Sequence, residues 1–465
     1  KFLLKTNYNC PTSKVSGGFE TVIKGKVDIV NKRLKSPLNV QIEVTPKCTS
    51  ECMHCYNFWR KEECSSIHGY FGALNKNDAK IIMQKLGDAG IFQVTITGGE
   101  PLCNYQTALS CVELARGMNM GIGFNSNLVL LSKEQAVELK QAGLNHVLTS
   151  ILGPNAEVHD KITQQPNSFE KLINGVKIAH DAGLRISANM VVSQLNFDQV
   201  RATAEFIAGL GIKSFMATKA GCPGNCSDFS KIAPSHEQLI AFFNDLCWAH
   251  ENLKLKVDTL EPVPFCGLLG VKLPSLFTRR KCTAGVTAMT ISYDGSVRPC
   301  SHLDESYGNI LTEDFDVVWA RMAPWSQLFR TPIECSTCSM LNECGAGCRM
   351  EGKMRSGKVD GLDPFTQLEW AKEMTEILTP PQKPPKTTQI KSFKTPRFRM
   401  RRESFGGVFV TGMTHVYLDH KGFKVLKQFD QETTYNLATT TIDWNGLDPE
   451  KFISGLVRRR VITLV

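Results

Sequence analysis

The chain has 465 residues, 42% hydrophobic and 21% charged, a composition that fits two or three globular domains and excludes disorder over most of its length. No run of about 18 apolar residues occurs, so no membrane-spanning helix is expected, and without a long apolar core near Lys1 the expected location is cytoplasmic. The net charge of +9 is misleading as an average, because residues 379–402 hold eight Lys or Arg and no acid; a uniformly basic nucleic-acid binder fits poorly, and the 17 Cys point to metal rather than to a disulfide scaffold.

Residues 1–36 read as an N-terminal extension. From 37 to about 260, strand and helix patterns alternate. Val40, Ile42 and Val44 form an alternating apolar strand, followed by a helix over Asn77–Ala89 and a strand over Phe92–Thr97. Next come a helix at Gln106–Met118, a strand at Gly121–Asn125, a helix at Lys133–Ala142 and a strand at Asn145–Ile151. A helix at Phe169–Ala182, a strand at Leu184–Val192, a helix at Phe197–Leu210 and a strand at Lys213–Ala217 complete the series. Helices ending in Gly90, Gly143, Gly183 and Gly211 have the expected stop residue. Six strands alternating with helices predict an α/β fold with a parallel sheet, open or curled into a barrel, and chemistry at the C-terminal ends of its strands.

Two motifs sit at those strand ends. After the first strand comes Cys48-Thr-Ser-Glu-Cys52-Met-His-Cys55-Tyr56, three thiols within eight residues. Three thiolates hold a [4Fe–4S] cube with one iron left open, or a structural zinc with His54 or Cys64 as fourth donor. After the second predicted strand comes Gly98-Gly99-Glu100-Pro101, whose glycines allow close backbone approach and whose carboxylate can accept from an ammonium group. In that order the two motifs resemble the radical S-adenosylmethionine (SAM) enzymes, whose fold is a partial (β/α)6 TIM-like barrel. The resemblance implies that Cys48, Cys52 and Cys55 hold a [4Fe–4S] cluster bound to SAM, with Tyr56 the usual aromatic after the third Cys. It implies that Gly98, Gly99 and Glu100 take the SAM amine, and that Asn127, Ser150 and Asn189 reach its ribose or carboxylate. Where many relatives have Ser-x-Asp-Gly, this chain has Ser150-Ile-Leu152-Gly153. Cys222 and Cys226, in Cys-Pro-Gly-Asn-Cys past the sixth strand, are candidate hydrogen donors to a substrate radical, or inert thiols.

Residues 261–378 carry most of the remaining cysteines. Cys282 and Cys300 flank the turn Tyr293-Asp294-Gly295-Ser296, which folds them toward each other. Cys335-x2-Cys338-x5-Cys344-x3-Cys348 follows, a spacing that also suits a zinc ribbon. Together they resemble the SPASM extension of radical SAM enzymes, which implies one or two auxiliary iron–sulfur clusters. By that resemblance Cys282, Cys300 and Cys348 belong to the first, with Cys266 the candidate fourth ligand, and Cys335, Cys338 and Cys344 to the second. The family's final Cys follows an Asp-Pro pair; here Asp363-Pro364-Phe365-Thr366 has none, so that cluster takes an oxygen ligand such as Asp363, keeps an open iron, or is smaller.

A Pro- and Lys-rich linker is expected at 379–396, and a small domain at 397–465. In the latter, strands Gly407–Thr411 and Thr414–Leu418 form a hairpin around Gly412-Met413, with helices at Gly422–Phe429 and Pro449–Arg458 and a strand at Val461–Val465. This winged-helix-like layout resembles the recognition element of ribosomal peptide pathways, similar to the peptide chaperone of pyrroloquinoline quinone synthesis. Arg458-Arg459-Arg460 also suits a DNA-binding winged helix. The resemblances imply a peptide maturase. Its 5′-deoxyadenosyl radical takes hydrogen from a precursor peptide whose leader docks on the C-terminal module. Net oxidation gives a crosslink (C–C or thioether), and return of hydrogen from a thiol gives epimerisation. A folded protein or a small molecule is the alternative substrate. A reducing donor such as flavodoxin or ferredoxin is implied, and no membrane or nucleic-acid partner.

Overall fold

The computed structural model describes residues 33–57, 72–221, 229–326, 330–379, 390–412, 414–459 and 461–465. Contacts divide the chain into one unit of residues 31–386 and another that contains residues 387–465.

In the larger unit the first strand, β1 (Asn39–Glu43), leads through the cysteine loop to α1 (Lys76–Asp88), whose first turn is capped by the Asn75 side chain accepting from Asp78 N. There follow β2 (Gln93–Thr97), α2 (Tyr105–Gly117), β3 (Gly121–Asn125), α3 (Lys133–Ala142) and β4 (His146–Ser150). Helix α3 begins in a capping box of Ser132 and Gln135 and stops at Gly143, whose φ of 112° suits glycine. Next are α4 (Ala156–Thr163), α5 (Ser168–Asp181), β5 (Arg185–Val192), α6 (Val200–Gly209) and β6 (Ser214–Lys219). All six predicted strands are therefore present.

The sheet does not stop there. A helix α7 (His236–Leu253) and a short strand β7 (Lys256–Asp258) extend it beyond β6. On the other edge, β8 (Ala288–Ile291) runs parallel to β1, pairing Asn39 with Ala288 and Ile42 with Ile291, and turns back into β9 (Val297–Arg298). The order is β7-β6-β5-β4-β3-β2-β1-β8-β9, with only β9 antiparallel. Val40, Ile42, Ile96, Phe124, Ala188 and Phe215 are buried along it, each large side chain contributing about 1.5–3 kcal/mol. The β8–β9 hairpin, which Cys282 and Cys300 flank, is thus part of the same sheet as β1–β7, so the expected division at residue 260 is no break in the sheet.

Beyond β9 the unit is held by short helices: α8 (Phe315–Arg321), α9 (Leu341–Cys344), α10 (Arg349–Ser356) and α11 (Ala371–Leu378). Among the described residues, no helix is long and apolar enough to cross a membrane.

The second unit has more strand than expected. Strand β10 (Ser392–Lys394) is central to a three-stranded sheet with β14 (Thr434–Asn436) and β15 (Thr463–Leu464). The linker expected at 379–396 is therefore corrected at its end. Residues 392–394 are strand, and Phe393 is fully buried against Phe429 and Tyr435, so apolar packing outweighs the local Pro and Lys content. The predicted hairpin, β12 (Gly406–Thr411) and β13 (Thr414–Asp419), gains a third strand, β11 (Arg399–Glu403). Helices α12 (His420–Leu426) and α13 (Pro449–Arg458) place Phe423, Leu426, Phe452, Ile453 and Leu456 in a core of this unit's own.

Candidate functional site

Every cysteine of the first motif lies in the loop leaving β1, at the C-terminal edge of the parallel strands. Neighbouring backbone shapes that loop. Glu51 N and Met53 N donate to Thr163 O and Ile162 O at 3.0 Å each, pinning the loop to the end of α4, and Cys55 N closes a turn on Cys52 O. Cys48, Cys52 and Cys55 are half-buried thiols, and no disulfide occurs among the described cysteines. His54, the alternative zinc donor, is half-buried; desolvation and the nearby His159 lower its pKa to about 4.

The glycines of Gly98-Gly99-Glu100 meet the chain itself. Gly98 has a φ of 148°, and a Cβ on Gly99 would lie 2.2 Å from Lys47 O. Gly99 N and Glu100 N donate to Thr45 O and Lys47 O at 2.7 Å. Side chains are excluded here because the chain between Thr45 and Lys47, leading into the cysteine loop, passes close to Gly98 and Gly99. The Glu100 carboxylate is likewise occupied: it is buried and accepts from Ser126 Oγ and Asn127 N at 2.7 Å and from Leu102 N at 3.0 Å. Three of its roughly four acceptor positions are used, so its first task is to tie the ends of β2 and β3 together. Burial raises its pKa to about 7 against those three bonds.

Asn127 reaches the cysteine loop, donating to Thr49 Oγ1 at 2.8 Å with Cys48 Sγ at 3.9 Å. Ser150 is half-buried at the end of β4, in register with Asn189 on β5. Asn189 is buried and accepts from Thr218 Oγ1 at 2.8 Å. Sequence reading missed Asn57. Its Nδ2 donates to Gly98 O at 3.1 Å, while its buried Oδ1 has no partner among the described residues and is suited to a ligand's donor.

Tyr56 joins this site to the next cysteine group. Its ring stacks on His302 with centroids 4.4 Å apart, and Ser301 hydrogen-bonds its hydroxyl, whose pKa burial raises. His302 follows Cys300, and its Nε2 lies 3.5 Å from Glu261. Fully buried Lys219, at the end of β6, pairs with Glu261 and Glu351 at 3.3 Å each. Burial opposes the Lys219 charge, but the carboxylates of Glu351 and Glu261 raise its pKa well above the ordinary lysine range. Cys300 and Cys348 each sense the charge of Cys282, so these three gather beside this polar cluster. Burial pushes the Cys300 thiol up to about 12, and metal binding would release its proton.

Two assignments change. Cys266 does not join Cys282, Cys300 and Cys348; it lines a cavity of about 490 Å³ with Cys335, Cys338 and Cys344. The short turn Phe265–Leu268 carries it there, because Phe265 N donates to Cys344 Sγ at 3.3 Å. Asp363 moves the other way. Its buried carboxylate accepts from Cys348 N at 2.8 Å and Phe365 N at 3.0 Å, which commits it to the Cys348 side. Cys222 and Cys226 lie outside the described residues.

These groups fit the clusters. Among the described residues no three Cys, His, Asp or Glu side chains converge on one ion position, as a zinc at about 2.3 Å from each sulfur needs. Cys266, Cys335, Cys338 and Cys344 border a cavity of about 490 Å³, the kind of space a multi-iron cluster requires.

Comparison with known proteins agrees. Residues 42–207 match the Radical SAM superfamily, and residues 282–345 match SPASM, an iron–sulfur cluster-binding domain. The chain is similar to the AdoMet-dependent heme synthase of Oleidesulfovibrio alaskensis, 26% identical over 345 residues covering 70% of this chain and 85% of that one. It is also similar to the mycofactocin maturase MftC of Mycolicibacterium smegmatis, 27% identical over 358 residues covering 74% and 86%. In fold it resembles Streptococcus suis SuiB bound to the precursor peptide SuiA, with a TM-score of 0.58 and 18% identity over 72% of this chain and 77% of that one. The chain therefore carries a radical SAM domain followed by a SPASM domain, and it is an enzyme that binds a [4Fe–4S] cluster, S-adenosylmethionine and auxiliary iron–sulfur.

Proposed function

We propose that the enzyme modifies a ribosomally made precursor peptide by hydrogen abstraction, giving an intrapeptide crosslink or another oxidation. When bound, the cluster and SAM supply an electron and a 5′-deoxyadenosyl radical that removes a hydrogen atom from the substrate. Cys48, Cys52 and Cys55 hold that cluster, and the backbone of Gly98-Gly99-Glu100, with Asn57, receives the SAM amine. Asn127, Ser150 and Asn189 line the ribose and carboxylate side. Cys282, Cys300 and Cys348 would hold an auxiliary cluster that could accept the second electron, from the peptide radical left by hydrogen abstraction, as the oxidised product forms with loss of a proton. The observation that carries the reading is the stack of Tyr56 on His302, which sets a residue adjoining the Cys48/Cys52/Cys55 loop against one that follows Cys300 closely.

The peptide enters this reading through the unit containing residues 387–465, which lies beyond both family matches. Strands β11 and β13 edge one of its sheets, β14 and β15 the other, and an extended leader peptide adds to such an edge as a further strand. A second reading, a tetrapyrrole as substrate, is favoured by the likeness to heme synthases over 70% of this chain. The first step is tested by Cys52→Ala, expected to abolish 5′-deoxyadenosine formation under anaerobic reducing conditions; retained formation, followed by liquid chromatography, would overturn the cluster assignment.

A further inference from the structure

We infer that Cys266 is the fourth thiolate of the second auxiliary site, so that one cluster is held by Cys266, Cys335, Cys338 and Cys344. The inference rests on the iron–sulfur content of the SPASM half and holds whichever substrate is used. No motif carries it, because Cys266 precedes the 282–345 match.

Four observations converge. All four cysteines line one cavity of about 490 Å³, and its other walls include the apolar Met340, Leu341, Leu368 and Met374. The carboxylates bordering it, Glu334 and Glu376, are solvent-exposed. Two of the sulfurs are set by backbone donors, Cys344 by Phe265 N at 3.3 Å and Cys266 by Gln367 N at 3.4 Å. Such N–H···S bonds stabilise a thiolate and tune the cluster it holds. The segment after Asp363-Pro364 offers Thr366 in place of a thiol. Its Oγ1 is buried at the same cavity with no partner among the described residues. A neutral hydroxyl is a poor rival to a thiolate for iron. Asp363, the remaining oxygen donor there, is held on Cys348 N and Phe365 N. The chain thus lacks a downstream cysteine and supplies the fourth sulfur from upstream, through the turn Phe265–Leu268.

The test uses the full chain, purified anaerobically, in a background of Cys48→Ala, Cys52→Ala and Cys55→Ala, so that only auxiliary sites report. Iron, sulfide and the EPR spectrum of the reduced protein are compared across single and double variants. Cys266→Ala is expected to remove the same signal as Cys335→Ala, with up to about four iron per chain. The Cys266→Ala/Cys335→Ala double variant should lose no more than either alone, and Cys266→Ala/Cys282→Ala should lose both signals. Cys266→Ser keeps the side-chain shape, so a shifted rather than absent signal there separates ligation from misfolding. Thr366→Val should leave iron unchanged. Full iron with an unshifted spectrum in Cys266→Ala, a loss shared with Cys282→Ala, or a loss in Thr366→Val would overturn the inference. Zinc in place of iron, lost alike in Cys266→Ala and Cys335→Ala, would overturn the cluster reading, and zinc lost in Cys266→Ala alone would overturn the shared four-thiol site as well.

Discussion

Glu100 shows how single residues here serve the fold before the chemistry. Its carboxylate holds Ser126, Asn127 and Leu102 together, and burial raises its pKa to about 7. A raised folded pKa means that stability is fully present below the ordinary carboxylate range and is lost as pH rises through about 7. Glu100→Gln lacks this titration. Relative to that variant, the wild type should therefore lose up to about 3 kcal/mol between about pH 4 and pH 8. Urea denaturation of both proteins across this range measures the change, and a constant difference would contradict it. Legibility at this scale followed sequence distance. The cysteine loop and Gly98-Gly99-Glu100 were readable because their residues are local in the chain. Lys219 was not, because its partners Glu261 and Glu351 come from elsewhere. The same holds for Asn57, whose link to Gly98 spans 41 positions.

The β8–β9 hairpin is the element on which the two halves of the larger unit depend. Arg298 on β9 is fully buried and forms an ion pair with Glu43, the last residue of β1. Its Nη1 also donates to Ser301 O at 3.1 Å and Leu303 O at 2.9 Å, which shapes the segment after Cys300. Burial raises the Glu43 pKa, and the Arg298 charge and hydrogen bond oppose the rise. Arg298→Met leaves Glu43 buried without its partner and should cost about 3–5 kcal/mol. The Glu43→Gln/Arg298→Met pair should recover part of that loss in chemical denaturation; equal losses in single and double variants would show that the pair is not the cause. The hairpin's turn was legible from Tyr293-Asp294-Gly295-Ser296. Its parallel docking on β1 was not, since Glu43 and Arg298 are 255 positions apart. Strand β11 was missed for another reason. Arg399, Arg401 and Arg402 belong to the basic run 379–402 and carry no apolar alternation, yet Arg401 is buried with Glu403 as partner in the sheet.

On the scale of the whole molecule, each unit carries its own buried core. The basic Pro-rich run marked the division from sequence, although not its end, because Phe393 is buried in the second unit's core. In the proposed function the larger unit cleaves SAM and the smaller one delivers the peptide. The most direct measurement reacts the full chain, and a chain lacking residues 387–465, with SAM, reductant and the short peptide encoded beside its gene. Peptide mass and 5′-deoxyadenosine are followed together under anaerobic conditions. The expected result is a peptide lighter by two hydrogens from the full chain, and SAM cleavage without peptide product from the shortened one. An unaltered peptide from the full chain despite active SAM cleavage would contradict the account and turn the search to a tetrapyrrole.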